Sequence, residues 1–176
     1  MSDVVLLSKP EPGVALITLN RPDRMNAWNF ELSERYFELL EQCADDPDVV
    51  AIVVTGAGRG FCAGADMDAL TAIGANPKGG AVAAAGSKEQ MITTTIPKPV
   101  IAAINGACAG LGLAQAFMCD IKFAAAGAKF TMAFSRRGLI AEYGLSWVAP
   151  RLGGVANAMD ILLSSRVFTA AVSYTH

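Results

Sequence analysis

The chain has 176 residues, of which 53% are hydrophobic and 17% are charged, a composition that excludes a disordered protein. Fourteen basic residues against sixteen acidic ones give a formal net charge of −2. Like charges are not clustered, so a nucleic-acid-binding surface is not expected. No apolar run approaches the roughly 20 residues of a membrane span, and the amino terminus does not resemble a signal peptide. We therefore expect a soluble, cytoplasmic protein that is not membrane-bound.

The cysteine and histidine content argues against two common kinds of catalytic site. The only histidine is His176, the last residue, and the four cysteines are far apart in the sequence. Zinc sites and His-dependent triads need imidazoles or clustered thiolates, so we expect neither, and no metal site of any kind. The cysteines are expected to be small buried thiols: Cys43, Cys62, Cys108 and Cys119.

The first third of the chain predicts a hairpin followed by a helix. Val4–Leu7 and Val14–Leu19 are short apolar runs, separated by the turn-forming segment Pro10–Gly13. Apolar side chains then recur at helical spacing, and they predict one face of a helix that ends before Pro47. These side chains are Leu32, Tyr36, Leu39, Leu40 and Cys43.

The middle of the chain predicts a buried strand, a glycine-rich loop and a short helix. Val49–Thr55 is continuously apolar, as expected of a strand buried on both faces. Gly56–Gly60 follows as a glycine-rich loop, and a short helix is expected after Asp66. Residues 74–88 contain few bulky side chains and are expected to form a mobile surface segment.

The same order of elements returns further along the chain. Val100–Ile104 predicts a buried strand, Asn105–Gly112 is rich in glycine, and an apolar helix is expected to run to Met118. Asp120–Ala125 predicts another strand. Alternating strands and helices indicate the α/β class. Neither glycine-rich loop alone matches a dinucleotide or phosphate-binding fingerprint, and a simple packing turn is the alternative for each.

Four short motifs, taken together, are far more specific than either loop. In chain order they are NRPDRMNA (residues 20–27), GFCAGAD (60–66), PVIAAING (99–106) and MCDI (118–121). This arrangement resembles the crotonase family, the enoyl-CoA hydratases and isomerases, over essentially the whole chain. The resemblance implies a spiral of repeated ββα units, acyl-CoA thioester substrates and stabilisation of an enolate formed from the thioester.

The resemblance also assigns candidate site residues by position. The backbone amides of Ala65 and Leu111 would form the oxyanion hole, and the Leu111 side chain would narrow the pocket where many relatives have glycine. Residues that would bind the coenzyme A part of the substrate are Arg24, Met25, Gly64, Asp66, Met67 and Gly110. For Asp66 the alternative is that its side chain caps the helix that follows.

The acid and base residues depart from the hydratase pattern. Hydratases of this family use two glutamates, and this chain has Ala114 and Phe134 at those positions. Glu142 lies where dienoyl-CoA isomerases, ring-opening isomerases of aromatic-CoA breakdown and chlorobenzoyl-CoA dehalogenases carry a catalytic aspartate. Met132, Phe134, Tyr143 and Trp147 would form an apolar wall around it. Glu142 is therefore the candidate proton-transfer residue, and an exposed loop glutamate is the alternative.

These features predict an acyl-CoA enzyme that transfers a proton through a single glutamate, with isomerisation of a double bond favoured over hydration. The alternatives are a classical enoyl-CoA hydratase of fatty-acid β-oxidation and a non-catalytic acyl-CoA-binding paralogue. No cofactor is expected besides the coenzyme A of the substrate. Residues 71–96 would shape the acyl end of the pocket.

The domain boundaries are also predicted from the resemblance. Residues 1–171 are expected to form one crotonase-like core domain, and residues 172–176 a tail foreign to the family. Crotonase relatives continue with helices that build trimers or hexamers. We therefore expect a homotrimer or hexamer for a full-length form, and impaired assembly with exposed apolar surface for this shorter chain.

Overall fold

The order strand, strand, helix recurs in the computed structural model, which describes residues 4–68, 71 and 90–171. The strands are β1 (Val5–Glu11), β2 (Gly13–Leu19), β3 (Val49–Gly56), β4 (Gly60–Cys62), β5 (Val100–Ile104), β6 (Ala107–Ala109), β7 (Ile121–Ala124), β8 (Lys129–Thr131) and β9 (Phe168–Thr169). The α-helices are α1 (Phe30–Asp45), α2 (Leu111–Met118) and α3 (Leu145–Ser164), which is broken at Gly154. Short 3-10 helices span Pro22–Arg24, Gln90–Thr95 and Ser135–Arg137. The predicted α/β spiral of ββα units is confirmed.

The strands form two sheets. The first ββα unit places both of its strands in the larger sheet, and the pairs β3–β4, β5–β6 and β7–β8 each contribute one strand to each sheet. The larger sheet has the order β1-β2-β3-β5-β7, and the smaller has the order β4-β6-β8-β9. Strands β4, β6 and β8 run parallel to one another, so their carboxyl ends lie at one edge of the smaller sheet. The loops that follow these strands therefore meet at that edge, which is where ligands commonly bind in parallel α/β sheets.

The sequence explains where helix α1 begins, where it ends and which of its faces is buried. The side chain of Asn29 caps the amino terminus by accepting a hydrogen bond from the Leu32 N–H at 3.0 Å. The backbone becomes extended at Asp46, before Pro47, as expected of a residue that precedes proline. The predicted apolar stripe is buried, and it covers one face of the larger sheet.

The hairpin is confirmed, but Pro10 lies within β1 and not in the turn. Strand β1 is at the edge of its sheet, where a residue without an N–H can be accommodated. The prediction that β3 is buried on both faces is wrong. Ile52 and Val54 are fully buried, whereas Val50 is 70% exposed, because only one face of this strand is completely covered by the described residues.

Some predictions lie outside the described residues: the surface segment at 74–88 and the tail at 172–176. The domain boundary at residue 171 likewise stays a prediction. In the part of the chain that is described, no helix has the length and apolar character needed to cross a membrane.

Candidate functional site

The Ala65 amide is presented by its pairing with the main chain of Trp28. The Trp28 N–H donates to the Gly64 carbonyl at 2.7 Å, and the Asp66 N–H donates to the Trp28 carbonyl at 2.8 Å. In such a parallel bridge the residue between the two bonded peptides directs its own N–H away from the partner strand. No acceptor within residues 4–68, 71 and 90–171 takes the Ala65 N–H. Within the described part of the chain, this amide is therefore an unused donor in the loop after β4.

The Leu111 amide opens α2 and is also unpaired among the described residues. The first N–H groups of a helix have no acceptor within the helix, and they carry its partial positive charge. Gly110 at the N-cap supplies no side-chain acceptor, and its own N–H donates to the Thr131 carbonyl at 2.9 Å. The loop after β6 is thereby attached to β8 and offers the Leu111 N–H to a ligand.

The two donor loops touch each other at glycines. A Cβ on Gly64 would lie 3.1 Å from the Ala109 carbonyl oxygen, and a Cβ on Gly110 would lie 3.8 Å from the Gly64 Cα. Both glycines have positive φ angles, +103° and +48°, which L side chains rarely adopt. The backbones preceding Ala65 and Leu111 are therefore in direct contact. Two amides presented side by side are what an oxyanion hole requires.

Two asparagines hold the surrounding loops. The Asn26 side chain is fully buried; its Nδ2 donates to the carbonyls of Ala57 and Gly60, both at 2.9 Å, and its Oδ1 accepts from the Arg21 N–H at 2.8 Å. Asn105 donates to the carbonyl of Gly56 at 2.9 Å. These side chains replace missing backbone partners and rigidify the rim of the site.

The residues assigned to coenzyme A binding differ in their exposure and contacts. Arg24 and Met67 are exposed, and the Arg24 guanidinium approaches the Asp68 carboxylate at 3.4 Å, a solvent-exposed pair that a phosphate could replace. The Met25 carbonyl accepts from the Ala63 N–H at 3.0 Å, which places the 24–25 turn against the loop that carries Ala65. Binding of coenzyme A by these residues, and by Gly64 and Gly110, remains a prediction.

Asp66 has partners within the protein. Its carboxylate accepts from the Asp68 N–H at 3.0 Å, as in a helix cap, and lies 2.8 Å from the Arg21 guanidinium. Burial acts to raise the pKa of this carboxyl, but the hydrogen bonds from Arg21 and from the Asp68 backbone outweigh it and hold the pKa below its ordinary value. The capping alternative therefore describes the observed contacts of Asp66, and its contact with coenzyme A stays a prediction.

The positions of the two hydratase carboxylates are occupied by buried apolar side chains. Ala114 lies in the first turn of α2 and is fully buried, and Phe134, which follows β8, is 7% exposed. Neither side chain can bind or release a proton. The described site therefore offers amide donors without the pair of carboxylates that positions water in hydratases of this family.

Glu142 lies in the turn that leads into α3. The neighbouring Gly144 packs against Met91 and Met118, since a Cβ on it would lie 2.6 Å from the Met91 sulfur and 3.3 Å from the Met118 methyl carbon. This turn therefore meets the carboxyl end of α2, whereas Leu111 is at the amino end. Burial, together with the Glu142 charge, raises the pKa of Tyr143 above its ordinary value.

The four side chains predicted to form an apolar wall around Glu142 differ in burial. Met132 and Phe134 are buried and Tyr143 is half-buried, but Trp147 is 50% exposed and is covered by the Arg151 guanidinium, 3.9 Å from the ring centroid. The membership of Trp147 in the wall stays a prediction.

A cavity of about 500 Å³ lies elsewhere in the molecule. It borders Leu113, Ala116 and Phe117, which share one face of α2, together with residues of α3 and β9. Leu111 lies on the opposite face of the helix. We therefore place the candidate site at the touching glycine loops and not in this cavity.

Sequence reasoning missed two contributors to the site. Arg21 pairs with Asp66, and Trp28 orients Ala65 through its main chain. Both residues are in or next to the NRPDRMNA motif, but these roles depend on contacts about 40 residues away in the sequence. Only the position of the motif, ahead of the GFCAGAD loop, could have suggested them.

Comparisons with known proteins agree with this architecture. A family model described as Enoyl-CoA hydratase/isomerase matches residues 9–173. An Escherichia coli protein named 1,2-epoxyphenylacetyl-CoA isomerase is 41% identical over 171 residues, and the alignment covers 94% of this chain and 64% of that protein. A probable enoyl-CoA hydratase of Mycobacterium leprae is 40% identical over 173 residues, and the chain spans 59% of its length.

Solved structures give the same result. An enoyl-CoA hydratase from Mycobacterium marinum is 45% identical with a TM-score of 0.80, covering 99% of this chain and 77% of that one. A monofunctional enoyl CoA isomerase from Mycobacterium smegmatis is 38% identical with a TM-score of 0.79, covering 99% of this chain and 74% of that one. The chain therefore belongs to the enoyl-CoA hydratase/isomerase family and has its crotonase-like fold.

Proposed function

We propose that this chain carries the enolate-stabilising centre of an acyl-CoA isomerase. The observation that supports it is the pair of amides of Ala65 and Leu111, which have no acceptor among the described residues and lie on loops that touch at Gly64 and Gly110. The thioester oxygen would accept from both N–H groups, and it gains negative charge when a proton leaves the neighbouring carbon. Donors fixed in a buried site stabilise this charge without having to reorganise, and removal of one such donor costs roughly 3–4 kcal/mol of barrier.

Glu142 is the proton-transferring residue in this proposal. The turn that carries it meets α2 near Met118, seven residues beyond Leu111 and about 10 Å along the helix axis. The α- and γ-carbons are one and three bonds from the thioester carbonyl, so the proposal requires the Glu142 side chain to extend from this turn back toward the amide donors. One carboxylate can remove a proton from the α-carbon and return it to the γ-carbon, which shifts a double bond.

Hydration is the second candidate, and the names of the mycobacterial relatives favour it. Addition of water requires a base to activate the water and an acid to protonate the neighbouring carbon. Ala114 and Phe134 supply neither, which is why we favour isomerisation. A non-catalytic acyl-CoA-binding protein would keep the amide donors but would not depend on Glu142.

In the same proposal coenzyme A enters only as part of the substrate. Its pantetheine and phosphates would lie along the loops that contain Met25 and Met67, with Arg24 at the rim. No other cofactor takes part. The longer relatives would assemble as trimers or hexamers, and we propose the same for a longer form of this protein.

Deuterium exchange tests the proposal with Glu142→Gln. The chain is incubated with a 3-enoyl-CoA in deuterated water, and exchange, isomerisation and hydration are followed by mass. We expect Glu142→Gln to slow exchange by about 10²–10⁴-fold while thioester binding is retained. Glu11→Gln, an exposed glutamate on β1, is the matched control and should behave as the parent.

Three outcomes would contradict the proposal. Full activity in Glu142→Gln would assign proton transfer to another residue. Hydration faster than exchange in the parent chain would favour a hydratase. Thioester binding without exchange in the parent would favour the non-catalytic binding protein.

A further inference from the structure

Helix α2, which presents the Leu111 amide, contains a single polar side chain, Gln115. This side chain is fully buried. Its Nε2 donates to the Tyr36 hydroxyl at 3.0 Å and to the Thr93 hydroxyl at 2.7 Å. Tyr36 belongs to α1 and Thr93 to the 3-10 helix Gln90–Thr95, so one amide group joins three separate elements.

Among the side chains of α2, Gln115 makes directional contacts with other elements, in addition to the backbone contacts of Gly110 and Gly112 at the start of the helix. The N-cap offers no side-chain hydrogen bond, and the remaining side chains of the helix are apolar or absent. Apolar packing is compatible with small rotations of a helix, whereas hydrogen bonds with fixed partners select one orientation. Gln115 lies four residues after Leu111, on the same face and about 6 Å further along the axis.

Tyr36 is also connected, through Trp28, to the second amide donor, Ala65. Its ring packs edge-on against Trp28, with centroids 5.4 Å apart. The main chain of Trp28 is the strand partner that directs the Ala65 amide toward the site. A continuous path of contacts therefore runs from Leu111 through Gln115, Tyr36 and Trp28 to Ala65.

We propose that Gln115 and Tyr36 are positioning residues that hold the Leu111 amide in register with the Ala65 amide. The inference rests on the proposed function, because it explains the spacing between the two amides of the oxyanion hole by a hydrogen bond that lies outside the oxyanion hole. Burial raises the pKa of Tyr36 well above its usual range, so the hydroxyl remains neutral and available for this bond at physiological pH.

The test uses Gln115→Met, which keeps the side-chain volume, and Tyr36→Phe, which keeps the ring against Trp28. Each variant removes the same hydrogen bond from one side. A CoA thioester with a ¹³C-labelled carbonyl is bound to the chain, and infrared spectroscopy reports how far the bound carbonyl stretch shifts to lower frequency. The turnover number, KM and melting temperature are measured alongside.

We expect both variants to reduce the carbonyl shift and to lower kcat by about 10²-fold, the usual effect of displacing catalytic groups by roughly 1 Å. KM should change by less than about threefold, because the thioester is held mainly by contacts away from the carbonyl. The double variant should lose less than the sum of the two single variants, since both remove the Gln115–Tyr36 hydrogen bond. Thr93→Val removes the other hydrogen bond of Gln115 and the hydrogen bond of Thr93 with Tyr36, but it keeps the Gln115–Tyr36 bond. It should be intermediate and serves if a variant fails to fold.

Phe117→Leu is the matched control, since this half-buried side chain is on the opposite face of α2. It should lower the melting temperature and leave kcat and the carbonyl shift unchanged. If Gln115→Met and Tyr36→Phe lose only stability and keep the parent's carbonyl shift and kcat, the inference is overturned. If the parent itself shows no carbonyl shift, the proposed function fails instead.

Discussion

Gly112, the second residue of α2, lies directly against Cys62 at the end of β4. A Cβ placed on Gly112 would be 2.4 Å from the Cys62 carbonyl oxygen, 2.6 Å from its Cβ and 2.8 Å from its sulfur. The helix that carries the Leu111 amide thus approaches the strand leading to Ala65 as closely as two backbones allow. This contact gives a geometric reason for glycine at position 112.

Gly112→Ala should therefore destabilise the protein. The new methyl group would overlap backbone as well as side-chain atoms, so we expect a loss of about 1–3 kcal/mol in the free energy of unfolding, measured in urea. Gly127→Ala is the control, because a Cβ there meets no atom within 4 Å, and its effect should be within about 0.5 kcal/mol. Equal stabilities of the two variants would contradict the close contact.

Asn26→Ala is predicted to lower the free energy of unfolding by more than Gly112→Ala does. It removes three hydrogen bonds in a fully buried place and leaves the Ala57 and Gly60 carbonyls without this donor, at a cost of about 3 kcal/mol in total. Asn26 also has a φ of +55°, which alanine adopts poorly.

Asn26→Gly loses the same hydrogen bonds but accepts this backbone, and it should be less destabilised by about 1 kcal/mol. Urea unfolding of both variants and of the parent separates the contribution of the hydrogen bonds from that of the backbone conformation at position 26. A loss below 1 kcal/mol for Asn26→Ala would show that the loop does not depend on these hydrogen bonds.

The sequence predicted well those features that depend on neighbouring residues. The helix between Asn29 and Pro47 and the strand Val100–Ile104 follow from caps, periodicity and proline, all of which act over a few residues. The four motifs predicted the donor loops because their spacing is specific to one family. Local signals were sufficient for these parts of the fold and of the site.

Features that depend on distant contacts could not be predicted in this way. The bridge of Trp28 with Ala65 joins residues 37 positions apart, and the buried bonds of Gln115 reach Tyr36 across 79 positions. Val50 was expected to be buried because the apolar run around it does not reveal which face of the sheet is covered. Such partners become visible only when the tertiary structure brings them together.

The stability of the protein should depend on pH through Asp66. Its pKa in the folded state lies below the ordinary value of about 3.9, so the folded protein binds fewer protons here than the unfolded chain does. The stabilising contribution is complete above about pH 5 and is lost as the pH falls through the folded-state pKa.

Asp66→Asn should therefore destabilise the protein at neutral pH by about 2–3 kcal/mol, because the half-buried Arg21 guanidinium loses a charged partner. The difference from the parent should shrink toward pH 3, as measured by urea unfolding at several pH values. Asp68→Asn is the control: this side chain is 79% exposed, and its effect should stay below about 0.5 kcal/mol. A pH-independent difference for Asp66→Asn would exclude the ion pair as its cause.

The cysteines should be unreactive in the folded protein. All four are buried, and burial raises the pKa of Cys62 and of Cys119 to about 12, so the reactive thiolate is scarce at pH 8. We expect no rapid reaction with a disulfide reagent such as DTNB under native conditions and four reactive thiols in guanidinium chloride. At intermediate concentrations of guanidinium chloride, the rate at which the thiols react should follow the fraction of globally unfolded protein. A thiol that reacts quickly in the native state and maps to Cys62 or Cys108 would contradict this prediction, because it would show that the edge formed by β4 and β6, which supports both amide donors, opens on its own.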